Sequence, residues 1–149
     1  MHAYKYEGAR ELKTFFAGEI ESFLRFYAIR PRGLSTLVPI PLHRSREQRR
    51  GFNQSSLLAE ELARRLDLPV VSALSRIKAT EQQIDMKSYP DRRRNVADAF
   101  KIIDAGAVKE KTAVLIDDVS TSGATLFEAA KVLRNGGAKT VWAIVIAKA

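Results

Sequence analysis

Asp117 and Asp118 stand side by side in this sequence, after the apolar run Ala113-Val114-Leu115-Ile116. Adjacent carboxylates accept hydrogen bonds from vicinal hydroxyls, or hold a hydrated magnesium ion. Val119-Ser120-Thr121-Ser122-Gly123-Ala124-Thr125 follows directly. Hydroxyls and backbone N–H groups at the start of a helix form a cradle for phosphate. Gly123 lets the backbone come close to such an anion. A sugar-hydroxyl site beside a phosphate site describes a pocket for ribose 5-phosphate. Taken singly, the Asp pair reads as a helix cap or a solvated turn, and Thr-Ser-Gly as an ordinary turn. The joint pattern is far more specific. It has no Gly-Lys-Ser/Thr of a Walker loop and no Gly-x-Gly-x-x-Gly turn. An acid-pair phosphatase is a weaker reading, because the hydroxyl loop runs straight into a phosphate-type helix start.

Cations cluster in two places, at Arg44, Arg46, Arg49 and Arg50, and at Arg92, Arg93 and Arg94. Arginine suits phosphate because its planar fork donates two hydrogen bonds at once. The competing reading for both groups is a solvated basic surface. His43 lies among the first group, but a single loop histidine is more often a bystander than an acid or base.

These residues need a scaffold. Thr112 to Asp117 and Val141 to Ile146 read as buried strands, with a helix from Gly123 to Asn135 closed by Gly136-Gly137. Thr36 to Pro41 reads as a strand passing into a constrained loop, and 42–52 as a basic loop. Asn53 is a plausible N-cap for a helix to about Asp67. Pro69-Val70-Val71 and Ala99 to Ile103 are further strand candidates. Between them runs a long polar excursion, of a length usually functional or mobile. Over 8–28, Leu12, Phe15, Phe16, Ile20, Phe23, Leu24 and Tyr27 fall on one helical face. Continuous apolar strands alternating with helices predict an α/β fold, a doubly wound and mainly parallel sheet covered on both faces. In such a sheet ligands bind beyond the carboxyl ends of the strands, where the acid pair falls.

The 149 residues suit one domain. Apolar residues are 46% and charged residues 28%, which argues against a disordered chain. No apolar run approaches the roughly 18 residues of a membrane span, and no signal peptide opens the chain. The expectation is a cytoplasmic protein without a membrane partner. The absence of cysteine excludes disulfides and thiolate zinc sites. A net charge of +8 favours an anionic partner without choosing between nucleic acid, membrane surface and a small polyphosphate.

The stretch from Val114 to Thr125 resembles the binding signature for 5-phosphoribosyl 1-pyrophosphate (PRPP) in type I phosphoribosyltransferases. Val38-Pro39-Ile40-Pro41-Leu42, then Arg49-Arg50-Gly51-Phe52-Asn53-Gln54, then Arg76 with Thr80 and Gln82 or Gln83, then Arg92 or a neighbour with Asn95-Val96 and Ala99-Phe100, look like the ComF/GntX-type branch, linked to competence and DNA uptake. The resemblance covers roughly residues 4–149. It implies a single phosphoribosyltransferase domain over 1–149, with an N-terminal helical extension at 1–33 and a flexible loop at 76–95. It also implies that Asp117 and Asp118 fix the ribose, and that Val119, Ser120, Thr121, Ser122, Gly123, Ala124 and Thr125 hold the 5-phosphate. Leu42, His43, Arg44 and Arg46 then form the pyrophosphate loop, with Arg76 and Arg92 on the flexible loop. Asp117, Asp118 and Arg44 are the catalytic candidates. The implied cofactor is Mg2+, held through water by the two aspartates. The implied activity is transfer of ribose 5-phosphate to an unidentified base or amine. The rival is a non-catalytic PRPP- or nucleotide-binding module acting through single-stranded DNA or a DNA-uptake protein. A homodimer is left open. Relatives of this type commonly carry an N-terminal four-cysteine zinc ribbon; this chain has no cysteine, so zinc is not expected.

Overall fold

The computed structural model describes residues 2–29, 35–79 and 89–148. Strand β1 (Ser35–Pro39) is followed by a short helix α2 (Arg44–Arg50) and by α3 (Gln54–Leu66). Strand β4 (Thr112–Ser120), helix α5 (Ala124–Asn135) and β5 (Thr140–Lys148) form the C-terminal third. β1 and β5 both pair with β4 in parallel, so the sheet order is β1-β4-β5. On the other side of β1, Leu37 bridges Val70 in parallel, the Leu37 amide donating to the Pro69 carbonyl and the Val71 amide to that of Leu37.

The strand order therefore reverses at β1. Chain leaving β1 turns one way, through α3 to Val70, and the later strands build the other way. α3 lays Leu58, Ala59 and Leu62 against Leu37, Val114 and Ile116. α5 lays Ala129 and Leu133 against Val38, Ala113 and Leu115. Alternate residues of β1 and β4 thus feed two cores, one on each face. This is why those strands are apolar without a break. Each fully buried leucine, such as Leu62 or Leu115, contributes about 1.5–3 kcal/mol by burial. The fold is α/β, doubly wound and mainly parallel.

A separate antiparallel pair, β2 (Leu74–Arg76) and β3 (Phe100–Ile102), sits beside the sheet. The strand candidate at 99–103 is found here as β3, and Arg76 moves from a loop onto a strand. The expected loop at 42–52 is also corrected, since Arg44–Arg50 is helical. His43 caps that helix, its Nδ1 accepting from the Ser45 amide at 3.3 Å, and Gly51 ends it at φ 87°. Helix α4 (Tyr89–Val96) occupies the end of the excursion, where no helix was expected. Residues 80–88 of that segment and the side chains of Arg92 and Arg93 lie outside the described residues.

The first helix, α1 (His2–Phe26), packs on α3 through Phe16, Ala17 and Ile20. Arg65 of α3 joins the two helices by donating to Glu21 at 3.1 Å and to the buried Glu61 at 3.1 Å. The single apolar face expected here is in fact two stripes. Leu12, Phe15, Phe23 and Tyr27 are more than half exposed. β5 also departs from expectation. Trp142, Ala143 and Ala147 are exposed, because β5 pairs only with β4 among the described residues.

Candidate functional site

The reversal of strand order leaves a crevice beyond the carboxyl ends of β1 and β4. Four segments meet there. β4 delivers Asp117 and Asp118, both half-buried, and runs on to Ser120 rather than ending at the acid pair. The Thr121–Gly123 turn leads into α5. The end of β1 and the chain after it supply Pro39 to Arg46, and β2 supplies Arg76, because His43 forms a parallel bridge with Arg76.

Asp117 is the more confined acid. Its Oδ1 accepts from the Ser55 hydroxyl at 3.0 Å and from the Asp118 amide at 3.0 Å. Burial pushes its carboxyl up to about 7, the neighbouring Asp118 pushes the same way, and the Ser55 bond works against both. Asp118 is held locally, its Oδ1 accepting from the Val119 amide at 2.8 Å.

In the hydroxyl loop, Gly123 sits at φ 76°, the left-handed region where other residues are strained. A Cβ there would meet nothing within 4 Å, so the space beside this backbone is open. Ser122 Oγ accepts from the Ala124 amide at 3.4 Å. The fully buried Ala129 and Leu133 of α5 fix the far end of the helix in the core, which holds its start at the crevice.

Across the crevice lies a cavity of about 260 Å³ lined by Pro39, Leu42, Arg44, Asn53, Ser75 and Arg76, among others. Arg76 lies over the Phe100 ring, 5.4 Å from its centroid. Burial lowers the guanidinium's affinity for its proton, Arg46 adds to this, and Asp117 offsets part of it. Arg46 and Arg76 thus crowd positive charge opposite a carboxylate, an arrangement that an incoming anion would relieve. Arg44 lines the cavity beside Arg76. Arg49 and Arg50 point outward, Arg50 lying over Phe52 at 5.9 Å. Thr80 and the side chain of Arg92 are outside the described residues.

Asn53 ties the two sides together. Its Oδ1 accepts from the Ser55 amide at 3.1 Å and its Nδ2 donates to the Ile40 carbonyl at 3.0 Å. Sequence reasoning found the cap but missed Ser55. Nothing in Asn-Gln-Ser signals a partner 62 residues further on.

For Mg2+, the donor set is the two carboxylates, since no cluster of three or more His, Cys, Asp or Glu side chains suited to a metal occurs among the described residues. Two carboxylates fit an ion that keeps several waters and takes its other ligands from substrate phosphates. They do not make a cage for a permanently bound metal.

The phosphoribosyl transferase domain profile matches residues 53–149. The chain belongs to the phosphoribosyltransferase family. Its relatives include proteins named for competence and DNA utilization. It is 36% identical over 115 residues to competence protein F of Haemophilus influenzae, covering 76% of this chain and 50% of that one. Against the competence protein ComFC of Bacillus subtilis it is 36% identical over 138 residues, 90% of this chain and 52% of the other. The DNA utilization protein YhgH of Escherichia coli O157:H7 is 41% identical over 106 residues, 70% and 45% of the two chains. The chain therefore spans about half the length of these relatives. The fold is also that of the glutamine PRPP amidotransferase from B. subtilis. There the TM-score is 0.56 at 17% identity, over 93% of this chain and 26% of that one.

Proposed function

We propose that this chain binds PRPP in the β1/β4 crevice and transfers its ribose 5-phosphate to a nitrogen acceptor. The observation that carries the reading is the confined acid pair at the end of β4, beside an open hydroxyl-lined helix start and opposite the Arg46 and Arg76 cations. In this arrangement Asp117 and Asp118 accept the ribose hydroxyls. The Thr121–Thr125 turn holds the 5-phosphate through backbone amides and hydroxyls. Arg44, Arg46 and Arg76 face the pyrophosphate. The bond from C1 to the pyrophosphate oxygen breaks as the acceptor nitrogen closes on C1, and pyrophosphate leaves with the bonding electrons. Positive side chains stabilise the charge growing on the leaving group, so the chemistry is positional and electrostatic and needs no nucleophilic side chain. Mg2+, held through water by Asp117 and Asp118, would supply further charge neutralisation at the pyrophosphate.

Titration with PRPP and magnesium, followed by a pyrophosphate-release assay across candidate bases and amines, tests this reading. Saturable PRPP binding that Asp117→Asn with Asp118→Asn weakens supports the pocket. Unchanged affinity in the double variant overturns it.

A second reading is favoured by the names of the relatives and by the outward-facing Arg49 and Arg50 beside Phe52. Here the pocket is retained for ligand sensing and the basic face meets single-stranded DNA. Each phosphate contact would contribute a slope of about −0.7 in log affinity against log salt. Tight DNA binding that persists with PRPP present, with no pyrophosphate released for any acceptor, selects this reading over transfer.

A further inference from the structure

Ser55 is 4% exposed and sits in the first turn of α3, two residues after the cap. Its amide is already taken by Asn53. A hydroxyl in this position often caps its own helix. This one instead reaches β4 and donates to Asp117 Oδ1. The Asp118 amide ends on the same oxygen. Two donors on Oδ1 fix the carboxylate plane.

We infer that Ser55 is a positioning residue, which turns Asp117 so that Oδ2 meets the ribose hydroxyls while α3 and β4 stay locked together at the crevice. The inference rests on the reading of Asp117 as the ribose acceptor. It adds that the discrimination between a sugar phosphate and a bare phosphate is set from α3, not from the motif on β4. To the ionised carboxylate the hydroxyl makes a charge-assisted hydrogen bond, a stronger class than the neutral kind. Its loss leaves Asp117 held by the Asp118 amide alone and weakens only the contacts made through that carboxylate.

The experiment titrates the full chain with ribose 5-phosphate and, separately, with inorganic phosphate, in wild type, Ser55→Ala and Ser55→Thr. Melting points are recorded alongside. Ser55→Ala should bind ribose 5-phosphate about tenfold more weakly. Its affinity for inorganic phosphate should stay unchanged, since that ion needs only the Thr121–Thr125 turn. Ser55→Thr, which keeps the hydroxyl, should recover most of the loss. If wild type binds ribose 5-phosphate and Ser55→Ala binds it equally well, Ser55 is a packing residue and the inference is overturned. An equal loss for both ligands overturns it too, because the crevice as a whole has then been damaged. Wild type that binds no ribose 5-phosphate overturns the underlying pocket reading, a result distinct from either. Should Ser55→Ala melt sharply lower, Ser55→Cys, close in size and a weaker donor, carries the same comparison.

Discussion

Asp117 lies where burial and a second carboxylate both oppose its ionisation. Its carboxyl is pushed up to about 7, against an unfolded value near 3.9. The folded chain therefore binds this proton more tightly than the unfolded chain does. Between roughly pH 4 and 7 the unfolded state has already released it, so stability falls as pH rises and levels off above the folded value. Across that window the loss amounts to at most about 4 kcal/mol. Thermal melts in magnesium-free buffer at pH 5 and pH 8 should show wild type losing stability between the two. Asp117→Asn should lose much less. Equal losses in the two proteins would mean that other groups set the pH response. An acid held close to neutrality is also well suited to a ligand that arrives with cations, because the incoming charge completes its ionisation at the moment of binding.

At the scale of elements, α3 is the piece that joins the site to the core. Its Asn53 cap holds the Ser55 amide and the Ile40 carbonyl at once. Asn53→Ala removes both bonds from a buried position and should cost about 2 kcal/mol. For a chain of this size that is a fall of roughly 4–8 °C in melting temperature. Differential scanning calorimetry checks it, and a change within error would assign the cap no role. The elements that were legible in the sequence share one property, a dense apolar signal. The run Ala113 to Ile116, the helix ending at Gly136-Gly137, and Asn53 before Leu57, Leu58 and Leu62 each announce themselves. α2 does not, because Arg-Ser-Arg-Glu-Gln-Arg-Arg has no apolar residue to set a period. Its ends are set by the His43 cap and Gly51, with Glu47 in the first turn and Arg49 and Arg50 in the last suiting the helix dipole. α4 is similarly silent, and three residues are too few for β2 to show alternation. On α1 the aromatic residues were visible, but their division between a packed and an exposed stripe depends on where α3 lies. The acid pair and hydroxyl loop were legible as local motifs. The Ser55–Asp117 bond was not, since it exists only once α3 and β4 meet.

The whole molecule is built from pairings of very different reach along the chain. β4, α5 and β5 are consecutive, and Thr112 meets Thr140 after one short helical crossover. β1 meets β4 only after the chain has passed through α2, α3, β2, α4 and β3. Closing that larger loop costs more chain entropy before any contact repays it. The C-terminal unit should therefore organise early in folding and β1 should dock late. Leu133→Ala should slow refolding, with a φ-value of roughly 0.5–0.8, whereas Leu37→Ala should chiefly speed unfolding. Chevron plots of the two variants check this, and the reverse order would place β1 in the nucleus. Because the strand reversal that makes the crevice is also the last seam to close, a ligand held there belongs to the unfolding side of the barrier. It should lengthen the lifetime of the native chain by a factor of 1 + L/Kd, with L the free ligand concentration, and leave the rate of refolding where it was.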